Sequence, residues 1–119
     1  MTNFERVKEF HKAMGLPVRE SPVWLNFEGF ARRNRLILEE LSEYNKAQNE
    51  TIMEVADALA DLLYVVYGTA VEHGIDIDRV FKEVHRSNMT KRNGHLDESG
   101  KWIKPDDYSP PDLSFLLKD

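Results

Sequence analysis

Asp57 and Asp61 stand in the run Val55-Ala56-Asp57-Ala58-Leu59-Ala60-Asp61-Leu62-Leu63, two carboxylates one helical turn apart in an otherwise apolar segment. Like charges at i, i+4 weaken even an exposed helix by about 0.2–0.5 kcal/mol. In apolar surroundings an unpaired anion costs several kcal/mol more, so something must compensate this pair. The preceding helical segment adds Glu39, Glu40 and Glu43. Two antiparallel helices joined by a short turn near Asn49 and Glu50 bring residues equidistant from the turn to equal height. At a rise of about 1.5 Å per residue, Glu43 then faces Asp57, and Glu39 or Glu40 faces Asp61 one turn further on. Four carboxylates from two helices are therefore expected to converge. The same mirror sets Glu54 opposite Lys46, an expected ion pair. Taken singly, Glu39 and Glu50 read as ordinary solvated surface acids. Clustered hard oxygens without His or Cys select Mg²⁺ or Mn²⁺ over zinc or copper. A di-iron bundle would need Glu-x-x-His, a spacing that does not occur here.

A Mg²⁺ held by carboxylates and water typically serves a substrate phosphate, and the outer phosphate oxygens then need cations and donors. Residues 79 to 104 carry Arg79, Lys82, Arg86, Lys91, Arg92, Lys101 and Lys104 against three acids, the most basic region beyond Arg32-Arg33-Arg35. Asn88 and Lys91 lie one turn apart and, with His85, form a polar stripe; Lys104 follows. His85 reads equally well as a packed or surface histidine. Trp102, between lysines, either stacks on a base or pins the tail to the core.

Periodicity supplies the elements that must position these groups. Thr2 and Glu5 form a capping box for a first helix that Gly15 and Pro17 end. A second helix runs from about Asn26 to Gln48. The third starts at Thr51 with Glu54 and runs to His73, where Gly74 stops it. It has almost no polar face, so burial all round is expected, completed by a second copy of the chain. Asp76 caps a fourth helix, Ile77 to about Thr90, with Val80, Phe81 and Val84 inward. A short hairpin is expected around Gly94 to Trp102, and a last helical turn within Asp112 to Leu117. At 119 residues one domain is the strong prior, a helical core over about 2–91 with an irregular tail over 92–119. Without cysteine, disulfides and thiolate chemistry are excluded. The longest apolar run, Leu62 to Tyr67, is far short of a membrane span. Met1-Thr2-Asn3-Phe4-Glu5 does not read as a signal peptide, so a cytoplasmic protein is expected. A net charge of −5 argues against binding duplex nucleic acid. Yet residues 39 to 61 set seven acids against Lys46 alone, so the acidity is concentrated there.

Glu40-Leu41-Ser42-Glu43, followed by an acidic and apolar third helix, resembles the all-α nucleoside triphosphate pyrophosphohydrolases. This is the MazG-like group that includes phosphoribosyl-ATP pyrophosphohydrolase and the dimeric dUTPases. Asp61-Leu62-Leu63-Tyr64 is similar to a family segment. So are His85-Arg86-Ser87-Asn88-Met89-Thr90-Lys91 and Gly100-Lys101-Trp102-Ile103-Lys104-Pro105. The family pattern is Glu-x-x-Glu and then Glu-x-x-Asp; if Asp61 fills the last position, Ala58 stands where glutamate is expected, with Asp57 beside it. In the other register Glu54 and Asp57 fill Glu-x-x-Asp. The resemblance implies an all-α MazG-like bundle of four main helices, completed as a homodimer or a dimer of dimers. It implies hydrolysis of a (deoxy)nucleoside triphosphate between the α and β phosphorus atoms, in the manner of nucleotide-pool house-cleaning enzymes. Glu40, Glu43, Asp57 and Asp61 would hold Mg²⁺, Glu39 would orient the water, and His85, Asn88, Lys91 and Lys104 would bind substrate. The rival readings are a helical oligomerisation or adaptor module and a nucleotide-binding regulator that has lost hydrolysis.

Overall fold

The computed structural model describes residues 1–117. Lys118 and Asp119, counted above in the tail, lie outside the described residues. The architecture is all-α: α1 Asn3–Met14, α2 Phe27–Ala47, α3 Ile52–His73 and α4 Ile77–Met89, with a two-stranded hairpin of β1 His95–Leu96 and β2 Trp102–Ile103 and a 3-10 turn at Ser114–Leu117. The chain divides into two compact units, Met1–Asp76 and Ile77–Asp119. In the second unit the tail is hydrogen-bonded along α4.

In the first unit, local chemistry sets the helix ends. Thr2 and Glu5 close a reciprocal capping box on α1, Asn26 accepts from Gly29 N–H at the start of α2, and Thr51 accepts from Glu54 N–H at the start of α3. Gly74 ends α3 at φ 71°, with the Ile75 N–H on the Ala70 carbonyl and its own N–H on the Val71 carbonyl, a Schellman ending that only glycine adopts without strain. The connecting loop runs along this end. Arg19 and Val23 N–H groups donate to the Val71 and His73 carbonyls at 3.2 and 2.9 Å, and the Arg19 guanidinium reaches the Glu72 carbonyl at 2.6 Å. Carbonyls of the last helical turn, which lack intrahelical donors, are satisfied in this way.

Helix α3 packs against both α1 and α2. A buried ion pair lies between α2 and α3: Arg33 Nη1 meets Glu72 Oε2 at 2.9 Å, Arg33 Nη2 donates to the Val65 carbonyl, and Arg33 Nε donates to Thr69 Oγ1. Gly68 makes room for it, because a Cβ there would stand 2.6 Å from Arg33 Nη2 and 2.8 Å from His11 Nε2. His11, itself buried, is fixed by Nδ1 at 3.0 Å from the Pro17 carbonyl.

Burial of α3 on every side is expected only once a second copy is present, and within the single chain its cover is partial. Within one chain its buried residues are Ala58, Gly68, Ala70, Val71 and Glu72, whereas Ile52, Met53, Leu59, Leu63 and Val66 are exposed. Two neighbouring helices cover only part of a cylinder that is apolar on every side. No described helix is long and apolar enough to cross a membrane.

The second unit is α4 with the chain that follows it. Phe81, expected to face inward, is exposed, while the polar Ser87 is the buried residue of this helix. Ser87 Oγ donates to the Ser109 carbonyl at 2.8 Å, and Thr90 Oγ1 accepts from Ser109 N–H at 2.9 Å. Arg86 grips Glu83 with two nitrogens and also reaches Ser109 Oγ and the Pro110 carbonyl. Glu83 in turn accepts the Asp112 N–H at 2.7 Å.

The Arg86 hydrogen bonds, and next the Asp112 N–H, hold the Glu83 carboxyl down to about 2 from an ordinary 4.5. A depressed carboxyl contributes stability that is present above its unfolded pKa and lost as pH falls towards the folded one. The docking of segment 109–112 on α4 should therefore persist on acidification to about pH 3 and loosen only as pH approaches 2. The Asp112 amide resonance followed by NMR titration checks this; a midpoint near 4.5 would contradict it.

Candidate functional site

Because α2 and α3 are joined by only four residues, they return alongside each other and bring their acidic positions together. Glu43, Glu50, Glu54, Asp57 and Asp61, with Lys46, Ala47 and Ala58, line one cavity of about 300 Å³. The mirror pair Glu43 and Asp57 is thus realised, and Asp61 joins it. Glu40 lies outside the lining but feels the same field. Partial burial first, and then Asp61, Glu43, Glu39 and Asp57 in that order, push its carboxyl above the usual carboxylate range. Glu39 enters only through that field; its side chain is exposed.

Three expectations change. Asp57 and Asp61 are exposed in the single chain rather than enclosed by apolar neighbours, so the cost of burying them does not arise there. Lys46 pairs with Glu43 at 3.5 Å, not with Glu54; the two share one helix face three residues apart, and a pair this exposed contributes little. Nor do Glu40, Glu43, Asp57 and Asp61 form a closed ligand cage: among the described residues, no three Asp, Glu or His side chains stand close enough to enclose an ion as placed. Like-charge repulsion favours splayed rotamers, and the convergence exists as a shared cavity and a shared field. The chemistry of the donor set still fits a hard divalent cation. The lining offers carboxylate oxygens and neither His nor Cys, and the neighbouring carboxylates that, after burial, raise Glu40 are charges a cation would offset.

Glu54 and Asp57 both line the cavity with Asp61, so both registers of the acidic motif reach it. Ala58, buried between them, has no oxygen to offer. A larger cavity of about 460 Å³ opens in the same unit among Phe27, Phe30, Ile37 and Thr69. It has no acid in its lining.

Of the expected phosphate ligands, His85 and Asn88 are exposed on α4. Lys91 and Lys104 are drawn together by a residue the sequence did not single out. Their ammonium groups lie 5.6 and 4.7 Å from the centre of the Tyr108 ring. A tyrosine four residues past a lysine in a Pro-rich tail carries no periodic signal. Trp102 serves as the pin: its Nε1 donates to the Lys91 carbonyl at 2.6 Å.

The model of the phosphoribosyl-ATP pyrophosphohydrolase family matches residues 7–88, which run from within α1 into α4 and include all seven acids from Glu39 to Asp61. The chain belongs to that family. It is a MazG-like, all-helical pyrophosphohydrolase family, in agreement with the resemblance carried by the acidic helices. The chain is also 36% identical over 87 residues, 65% of its length, to an uncharacterized protein, L479, of Acanthamoeba polyphaga mimivirus. It spans about a third of that relative's length.

Proposed function

We propose that the chain is a divalent-metal-dependent pyrophosphohydrolase that cleaves a nucleoside triphosphate, or a nucleotide of the phosphoribosyl-ATP class, to the monophosphate and pyrophosphate. The observation that carries this is the cavity shared by Glu43, Asp57 and Asp61 beside a Glu40 whose proton affinity they raise. Glu40, Glu43, Asp57 and Asp61 would hold Mg²⁺ or Mn²⁺, which when bound polarises phosphate oxygens and lowers the pKa of water. Glu39 takes the proton of the attacking water, whose oxygen bonds to the α-phosphorus as the α–β bridging bond breaks. Lys91, Lys104 and Asn88, with His85, are assigned to the charge gathering on the departing pyrophosphate. The exposed apolar positions of α3 are assigned to a second copy, as a dimer or a dimer of dimers, in which the helix loses its remaining contact with water. A cytoplasmic setting suits such a substrate.

Incubation with Mg²⁺ and a panel of canonical and modified triphosphates, including phosphoribosyl-ATP, should release monophosphate and pyrophosphate in equal amounts from at least one of them. No turnover on any, together with a melting temperature unmoved by Mg²⁺ plus nucleotide, would overturn the enzyme reading. Ala58 favours one alternative, a regulator that binds nucleotide without hydrolysing it. The same panel separates the two, since the regulator gives thermal stabilisation without product.

A further inference from the structure

The second unit delivers two lysines to one aromatic ring, and each step of that delivery is visible. Gly94 lets the hairpin approach closely, since a Cβ there would collide with the Ile103 carbonyl and Trp102 Nε1. Trp102 is tied to the Lys91 carbonyl, and β2 ends one residue before Lys104. The Tyr108 ring is anchored from the other side. Its hydroxyl lies 3.3 Å from Ser87 Oγ, and the next residue, Ser109, is bound to Ser87 and Thr90. Both ammonium groups therefore sit within cation–π range of one ring whose position α4 fixes.

Two like charges gathered in this way are left short of anions. Asp106 and Asp107 stand close by in sequence, yet neither lysine joins an ion pair among the described residues. Lysine is a compact, strongly hydrated point charge that suits phosphate oxygens without demanding bidentate geometry.

We propose that Lys91, Lys104 and Tyr108 form a diphosphate-binding site in which Tyr108 is the positioning residue, holding both ammonium groups beside one ring so that together they take one pyrophosphate moiety. This deepens the proposed function and rests on it for its place in the reaction, but binding of the diphosphate itself is a separate property. Tyr108 acts through the lysines. Its own hydroxyl is engaged with Ser87 and does no chemistry.

The test is titration calorimetry of the full chain with inorganic pyrophosphate, without divalent metal and at two ionic strengths. The wild type should bind saturably and more weakly at higher salt, because screening weakens exposed charge interactions. Lys91→Ala and Lys104→Ala should each weaken binding by about tenfold, and Tyr108→Leu by a similar factor, since the ring then no longer holds both ammonium groups in place for the ligand. Tyr108→Phe keeps the ring and should restore most of the affinity, whereas a site that depends on the hydroxyl would lose it as Tyr108→Leu does. Absence of binding by the wild type, or unchanged binding in Tyr108→Leu, overturns the proposal. If circular dichroism shows that Tyr108→Leu loses structure, the Lys91→Ala/Lys104→Ala double variant decides, and wild-type affinity in it is fatal. A protein that binds pyrophosphate in this pattern but turns over no nucleotide keeps the site and loses the enzyme reading. Turnover with pyrophosphate binding indifferent to all these variants does the reverse.

Discussion

Asp61→Ala should lower turnover on the order of 10²- to 10³-fold while leaving the melting temperature equal to or slightly above that of the wild type. The loss follows from removing a charged oxygen ligand from the cavity between α2 and α3, where preorganised charge acts on the reacting phosphate. The retained stability follows from exposure: Asp61 lies at the surface of the single chain, and its removal relieves a like-charge i, i+4 contact with Asp57 worth about 0.2–0.5 kcal/mol. The Glu40 carboxyl provides an independent readout. Asp61 is the largest of the charges that raise it, so the variant should bring Glu40 back towards the ordinary range, as read by carboxyl ¹³C NMR. In the metal-free wild type, a raised Glu40 makes the folded state relatively more stable below its pKa, and that increment is lost as pH rises through it. Added Mg²⁺ should reverse this dependence. Were Asp61→Ala to unfold the chain, Asp61 would be a structural residue and the site would lie elsewhere.

Glu72→Ala should cost about 3–5 kcal/mol, because it leaves the buried Arg33 guanidinium without its counter-charge. Glu72 is 2% exposed and Arg33 6%; they meet at 2.9 Å, and Arg32 reaches the other Glu72 oxygen at 3.4 Å. At about 4–8 °C per kcal/mol for a chain of this size class, the melting temperature should fall by roughly 10 °C or more. The double variant Arg33→Met/Glu72→Leu should be less harmful than Glu72→Ala, since replacing both partners with apolar groups leaves no uncompensated charge. Thermal denaturation of the two variants checks this. A loss below about 1 kcal/mol in Glu72→Ala would show that water reaches Arg33.

These two residues illustrate where sequence reading stops. Arg33 looks like one member of a basic cluster, and Glu72 like the polar end of an apolar helix. Their pairing spans 39 residues, and no local rule announces it; the gap at Gly68 that admits Arg33 shows only in three dimensions. Helix termini are different. The Thr2 box, the Thr51 cap and the Gly74 stop satisfy donors and acceptors within a few residues, so composition alone locates them. The meeting of Glu43 with Asp57 was legible for an intermediate reason: a short turn makes the tertiary contact almost a local one. Exposure was legible only in part. Phe81 carries the right period yet faces solvent, whereas the partial cover of α3 by α1 and α2 is what an all-round apolar helix in one small chain leads one to expect. Tyr108 was missed because a tail without periodicity gives no clue to which ring its lysines will share.

The most direct test of the metal site is Mn²⁺ binding followed by electron paramagnetic resonance, comparing the wild type with Asp57→Asn/Asp61→Asn. Loss of the free Mn²⁺ signal should be saturable in the wild type, sharpened by added nucleotide, and largely abolished in the double variant, whose circular dichroism stays native. Equal Mn²⁺ uptake by both proteins would contradict the assignment of the α2–α3 carboxylates as the metal site.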